Sequence, residues 1–207
     1  MKGPRFLVVF GHPHDVSFNR SLAIAYAEGA RSEGAEVRIL DLAKLDFDPV
    51  LRHGYAKIQK LEPDLLKAQR AIEWCDHLVL AYPVWWGAAP GLLKGFLDRT
   101  FLPGWAFKFR KFWPLPKRLL RGRSAHVIVT MDAPRALYGA IYRGSAHHSV
   151  IRGTLAFCGF GPVRHSTVGS VKYLPRFARK AWLLRLRARG AADARRIRRG
   201  DLSLIHI

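Results

Sequence analysis

The run Tyr82-Pro83-Val84-Trp85-Trp86-Gly87-Ala88-Ala89-Pro90-Gly91-Leu92-Leu93-Lys94-Gly95-Phe96-Leu97-Asp98-Arg99 decides how the rest of the chain is read. It follows Leu78-Val79-Leu80-Ala81, a short apolar run with the character of a buried strand. Pro83, lacking an N–H, stops that strand. Pro90 stands where a helix can begin, and Leu92, Leu93, Phe96 and Leu97 recur at helical spacing. A strand, an aromatic loop and a helix make half of a βαβ unit. In open α/β sheets the loops at strand C-termini form the ligand crevice. Here that loop offers two adjacent indoles, a glycine and free backbone N–H groups, which suit a planar heteroaromatic ligand.

Outward from this run, strand and helix patterns alternate. Arg5–Gly11 is a β-rich apolar run. His12–Phe18 is a polar turn, and Leu22, Ala23, Tyr26, Ala27 and Ala30 mark a helix over Asn19–Arg31 that Gly34 ends. Glu36–Leu42 alternates as a strand, Asp46–Tyr55 is a loop, Pro63–Trp74 a helix and His77–Tyr82 the third strand. Pro90–Phe101 is the third helix. Leu102–Arg123 reads as irregular, broken by Pro103, Gly104, Pro114 and Pro116, with aromatics among lysines and arginines. Ser124–Met131 is a fourth strand and Asp132–Gly144 a loop or partly helical cover. Ser145–Phe157 has helical character, Pro162–Val168 is a fifth strand, and Leu174–Arg199 is a final helix with a weak point at Gly190. Five alternations predict an α/β doubly wound parallel sheet. The expected organisation is a single domain over residues 1–201, with 172–201 its basic C-terminal helix. The terminal Leu202–Ile207, LSLIHI, fits no element and resembles translated sequencing-adapter DNA. It is set apart as a non-native tail.

Composition narrows the class. The chain has 207 residues, 49% of them hydrophobic, enough for one good core. No apolar run approaches the roughly 18 residues of a membrane span, and the N-terminal apolar run reads as a strand rather than a leader. Cys75 and Cys158 form no CxxC pair, which points to a reduced, cytoplasmic protein with two core thiols. Thirty-five basic residues against 15 acidic give a net charge of +20, which bears on partners rather than fold. Lys172–Arg199 carries eleven basic residues and one acid, with Trp182, Leu183, Leu186 and Ile197 at positions that form an apolar stripe. The two readings of this tail are a solvated helix face and a peripheral contact with an anionic membrane. His12/His14 and His147/His148 have no cysteine or carboxylate at zinc spacing and read as loop and surface histidines, so no metal is expected. Lys94, Asp98 and Arg99 read as surface pairs on one helix.

Gly11-His12-Pro13-His14-Asp15-Val16-Ser17-Phe18-Asn19 joins the first strand to the first helix. The orphan N–H groups and dipole of a helix N-terminus favour phosphate, with Ser17 and Asn19 as added donors and Arg20 as added charge. The competing reading makes Ser17 or Asn19 only an N-cap. With one glycine, the segment is neither GxGxxG nor a Walker loop, which disfavours a dinucleotide Rossmann site or an NTPase.

Together, Gly11-His12-Pro13 through Ser17-Phe18-Asn19 and Tyr82–Gly87 through Pro90–Arg99 resemble the flavodoxin-like NAD(P)H:quinone oxidoreductases. Further matches are Asp41-Leu42, Asp46–Pro49, Gly104–Phe107 and Phe157–Gly159, so the likeness runs from about Phe6 to Gly169. The resemblance implies a five-stranded sheet of order 2-1-3-4-5 with helices on both faces and a flavin at the switch between strands 1 and 3. It implies FMN, with FAD as the alternative, and NAD(P)H as co-substrate. His12, Ser17, Phe18 and Asn19 would hold the flavin phosphate side. Pro83, Val84, Trp85, Trp86 and Gly87 would border the ring, joined by Thr130, Met131 and Asp132. Many relatives have two glycines where this chain has Asp132 and Ala133. Tyr138 matches a tyrosine that assists hydride transfer in some relatives. The matching histidine is replaced near Gly144, leaving Tyr142 and His148 as substitutes. Trp105 and Phe107 would line the slot where nicotinamide and a quinone or other small electrophile alternate, at a homodimer interface. The activity implied is two-electron ping-pong reduction in the cytoplasm. The rival from a different class is a basic flavodoxin-fold binding or carrier protein docking on nucleic acid or an acidic partner. The aromatic, cationic stretch Phe107–Arg123 favours nucleic acid, and the ordered flavin motifs weigh against it.

Overall fold

The computed structural model describes residues 3–111 and 113–200. The tail Leu202–Ile207 lies outside them. β1 (Arg5–Phe10), β2 (Glu36–Asp41), β3 (His77–Pro83), β6 (Ser124–Thr130) and β7 (Val163–Val168) form one sheet of order β2-β1-β3-β6-β7. Every pairing in it is parallel. Renumbered among themselves, these strands run 2-1-3-4-5, as the resemblance implies.

The central strands are buried throughout, and their side chains alternate between two cores because successive residues point to opposite faces. Leu7 and Val9, Leu78, Leu80 and Tyr82, and Val127 and Val129 join one core. Phe6, Val8 and Phe10, Val79 and Ala81, and Ile128 join the other. The first core is covered by α2 (Pro63–Trp74), α3 (Gly91–Thr100) and α5 (Ser145–His147), which continues as a π-helical segment, His148–Ala156. The second is covered by α1 (Phe18–Ser32) and α6 (Arg176–Arg198). A short helix, α4 (Arg135–Tyr142), follows β6.

The structure corrects four expectations. Leu102–Arg123 is not irregular throughout: β4 (Phe107–Arg110) and β5 (Trp113–Arg118) pair as an antiparallel hairpin. Both strands are edges, where prolines can be accommodated without losing a ladder bond. Arg99 is no surface partner. It is fully buried, and its guanidinium donates to Glu62 at 2.8 Å and 3.2 Å, to the Lys60 carbonyl at 3.0 Å and to the Asp48 carbonyl. That clamp fixes the 48–62 loop against α3, while Lys94 and Asp98 do pair on the surface. Gly190 is not a weak point, because α6 runs unbroken through it. A Cβ there would meet the Tyr26 carbonyl oxygen at 2.0 Å, and one at Gly29 would meet the Arg187 carbonyl oxygen at 1.8 Å. The two glycines let α1 and α6 cross backbone to backbone. Finally, the stripe of α6 is used inside the fold: Leu186 is buried, and Trp182, Leu183 and Ile197 pack against the second core.

Candidate functional site

A cleft of about 400 Å³ opens at the C-terminal ends of β1, β3 and β6. His12, Ser17, Phe18 and Asn19 line it from the first loop, Pro83 to Gly87 from the second, and Thr130 to Ala133 from the third. Tyr138, Tyr142 and Val171 complete it. The parallel order places β1 and β3 side by side and sends their crossovers to opposite faces, so the loops part and leave a crevice.

At one end lies the start of α1. Ser17 is its N-cap, and its Oγ accepts from the Arg20 N–H at 3.1 Å. The Ser17 carbonyl accepts from the Ser21 N–H. Among the orphan donors of this first turn, those of Phe18 and Asn19 remain for a ligand. The Asn19 side chain is committed elsewhere: its amide donates to the Ile128 carbonyl and to Thr130 Oγ1, each at 3.3 Å, tying α1 to β6. Arg20 brings no charge to the cleft. It pairs with Asp41 at 2.7 Å and lies over the Phe10 ring. His12 Nδ1 accepts from the His14 N–H at 2.9 Å, which puts the ring proton on Nε2 and leaves a donor. Burial and the neighbouring His14 hold its pKa below the usual histidine range, so it is neutral at pH 7.

The second loop is a tight turn. Trp85 and Ala88 exchange backbone hydrogen bonds at 3.0 and 2.9 Å, with Trp86 at φ +50° and Gly87 at φ +71°. A left-handed tryptophan is a strained choice, tolerated where surroundings hold it. Its side chain is 100% exposed. Trp85 meets His12 edge-on at 5.7 Å, so the first two loops touch. At Gly87 a Cβ would come within 2.8 Å of the Tyr142 ring, and Ser145 Oγ donates to the Gly87 carbonyl.

The third loop is pinned from behind. Met131 N–H donates to the Val168 carbonyl, Val171 N–H to the Met131 carbonyl, and Lys172 N–H to Asp132 Oδ1 at 3.0 Å. The Asp132 carboxylate thus has a local structural partner in place of the diglycine of many relatives. Tyr138 is 5% exposed, and its hydroxyl accepts from the Ala146 N–H at 2.9 Å. His147 Nδ1 lies 3.4 Å from that hydroxyl, and Nε2 lies 2.7 Å from Thr167 Oγ1. Burial pushes the His147 pKa down to about 4. The histidine beside Tyr138 is thus His147, reached across a turn, and not His148. Tyr142 stacks on Tyr138 with centroids 5.7 Å apart, while His148 does not line the cleft.

Trp105 and Phe107 are not part of this lining. Trp105 Nε1 donates to Glu73 at 2.6 Å and its ring meets Phe101 edge-on. Phe107 is buried against Phe157 at the base of the hairpin. Both pack on the first core, and Phe107 lines a different concavity. Among the described residues no group of histidine, cysteine and carboxylate side chains could hold a metal. Cys75 and Cys158 are free and buried.

With this geometry in place, comparison with known proteins is informative. A Haemophilus influenzae protein named as an uncharacterized NAD(P)H oxidoreductase is 28% identical over 182 residues, covering 86% of this chain and 89% of that one. Human ribosyldihydronicotinamide dehydrogenase [quinone] is 27% identical over 184 residues, covering 77% and 79%. The solved structure of an NAD(P)H:quinone oxidoreductase from Methanothermobacter marburgensis superposes with a TM-score of 0.77 at 25% identity, covering 91% and 96%. A family model described as flavodoxin-like fold matches residues 4–188, and the chain belongs to that family.

Proposed function

We propose that this protein is an FMN-dependent NAD(P)H:quinone oxidoreductase that reduces quinones or related small electrophiles by two-electron ping-pong turnover. The observation that carries the reading is the meeting of three strand-end loops in one cleft. Two N–H donors of α1 lie at one end and two indoles stand over the other. The named activities of the relatives support the same class.

The residues fit the cofactor. The Phe18 and Asn19 N–H groups and His12 Nε2–H suit its phosphate. Trp85, Trp86 and Val84 would supply apolar surface for its ring, beside a Gly87 that has no room for a side chain against Tyr142. Bound there, FMN supplies hydride acceptance and donation. The protein orients, desolvates and places charge. The N–H groups of Trp86 and Gly87 would stabilise negative charge on the bound ring. Tyr138 keeps its hydroxyl proton available at the cleft, because the Ala146 N–H occupies an acceptor position and not the donor. Neutral His147 can accept a hydrogen bond from that hydroxyl at Nδ1 while its Nε2–H donates to Thr167 Oγ1. Donor and acceptor would use one slot in turn. Exposed apolar side chains on the same rim, Trp86, Leu137, Ile141 and Tyr142, support a homodimer that walls the slot. Among the described residues no helix is long and apolar enough to cross a membrane.

The kinetic test varies NAD(P)H at several fixed quinone concentrations. Parallel double-reciprocal lines are expected, and intersecting lines would contradict a shared slot. In Tyr138→Phe, flavin should stay bound while turnover falls roughly a hundredfold, the low end of general-acid assistance. Unchanged turnover would remove Tyr138 from the chemistry.

A further inference from the structure

A second concavity, of about 580 Å³, lies outside the cleft and shares no lining residue with it. Its walls are the outer edge of β7 with His165, Ser166 and Thr167, the start of α4 with Arg135, and the face of α6 bearing Trp182, Arg185 and Arg189. Ala188 and Ala192 form its floor, their small side chains leaving the space open.

Charge is the unusual feature. Three arginines from two separate elements line it, and among the described residues none of them makes an ion pair. Arg185 lies over the Trp182 ring, 5.0 Å from its centroid. Arg185 and Arg189 are one turn apart, where like charges oppose the helix. Arg135 is the first residue of α4, a cation at the positive end of a helix dipole. Nearby carboxylates are spent: Asp193 is buried, donated to by Tyr26 at 2.6 Å, and lies within 3.7 Å of Arg164 and Arg196. Burial and Arg135 also hold the exposed-edge His165 below its usual pKa.

Donors are present as well. The carbonyls of Pro162 and Val168 face β6. In a parallel strand alternate residues face the same side, so His165 and Thr167 turn their N–H groups outward into the groove. β7 has no neighbour on that side. Guanidinium forks together with backbone N–H groups are suited to tetrahedral, multiply charged oxyanions rather than to a single carboxylate. The volume falls in the range of small-ligand sites, roughly 300–1,000 Å³, and the groove is bordered by a strand edge and two helices. A second copy of the chain is a poor occupant, since each copy carries 35 basic against 15 acidic residues.

We propose that the groove between β7, α4 and α6 binds a small soluble polyanion of phosphate chemistry, of the size of a pyrophosphate or nucleoside diphosphate group. The test titrates inorganic pyrophosphate into the protein saturated with FMN, at about 0.15 M salt, by calorimetry. One equivalent should bind without displacing the flavin. Arg135→Gln, Arg185→Gln and Arg189→Gln should each weaken binding about tenfold, the loss of one charge-assisted hydrogen bond. Lys180→Gln, elsewhere on α6, should not weaken it. All four positions are surface residues, and thermal melts confirm folding. Absence of saturable binding, displacement of FMN, or equal weakening by Lys180→Gln would each overturn the proposal. So would binding to phosphatidylglycerol vesicles or to RNA without binding to pyrophosphate, which would make the groove a macromolecular contact instead.

Discussion

The two ends of the same sheet handle polar groups in opposite ways. At the N-terminal ends of β3 and β6, Tyr26 donates to Asp193 at 2.6 Å and lies 3.0 Å from His77, whose other nitrogen meets Ser124 at 2.6 Å. His126 meets Ser166 at 2.9 Å. All of these side chains but Ser166 are buried, and nearly every donor and acceptor has an internal partner. At the C-terminal ends, the cleft leaves the N–H groups of Phe18, Asn19, Trp86 and Gly87 open, holds Trp86 left-handed and exposes its indole. Polar groups that satisfy one another hold the fold together. Polar groups left open on a rigid frame are available to a ligand. The difference lies not in residue type, since histidines, serines and tyrosines occur at both ends.

Substitutions can break this contrast in order of their cost in stability. The largest effect is expected at the helix crossing below the closed end. Gly190→Leu would drive a side chain into the Tyr26 backbone and should abolish cooperative folding. A thermal melt showing a folded protein with less than about 2 kcal/mol lost would contradict the backbone contact, since small-to-large changes typically cost about 1–3 kcal/mol even where neighbours can move.

Next is Asp193→Ala, which removes the buried acceptor of Tyr26 and the carboxylate beside Arg196. A loss of about 3–5 kcal/mol is expected, read by chemical denaturation, with flavin affinity of the surviving folded fraction unchanged. Altered affinity would mean that the two ends are coupled.

Acid should act at the same end. Burial lowers the pKa of His77 to about 3 and of His126 to about 4. Both stay neutral in the folded state, while the unfolded chain protonates near 6.5. Below that pH the unfolded state binds more protons. Their contribution is therefore intact above about pH 6.5 and is lost as pH falls toward 4 and then 3, by up to about 1.4 kcal/mol per pH unit for each histidine. Unfolding free energies from chemical denaturation at pH 7 to 4 should decline with this slope, and His77→Gln should flatten it.

At the open end the expected cost in stability is smaller. Gly87→Glu should cost about 1–3 kcal/mol for the left-handed backbone yet prevent nicotinamide from reducing the flavin. Ser17→Ala should cost about 1 kcal/mol as a lost N-cap, with flavin affinity reduced only a fewfold, because the ligand donors are backbone N–H groups. Asn19→Ala should cost more than Ser17→Ala, since its amide bridges α1 to β6.

Legibility in the sequence followed the range of the interaction. Helix α2 and strands β1 and β3 are set by local periodicity and proline placement, and they stand within a residue of where the pattern puts them. The first two cleft loops are readable because each joins a strand to a helix and carries its own motif, while the third, which lacks the relatives' diglycine, is placed only by the resemblance. The hairpin was not, because Pro114 and Pro116 speak against a strand unless its edge position is known. His147 was missed because its link to Tyr138 depends on the turn at Arg143 and Gly144, both left-handed. Arg99 looked solvated on a helix whose buried face includes the 48–62 loop, a contact no helical pattern reveals.

The most direct test of the central claim is an anaerobic absorption experiment on the purified protein supplied with FMN. The account predicts a perturbed flavin spectrum on binding, bleaching on addition of NADPH or NADH, and return of the colour with one equivalent of menadione. Failure of both FMN and FAD to bind at high concentration would contradict the reading of the cleft, and binding without bleaching would make the protein a flavin carrier instead of an oxidoreductase.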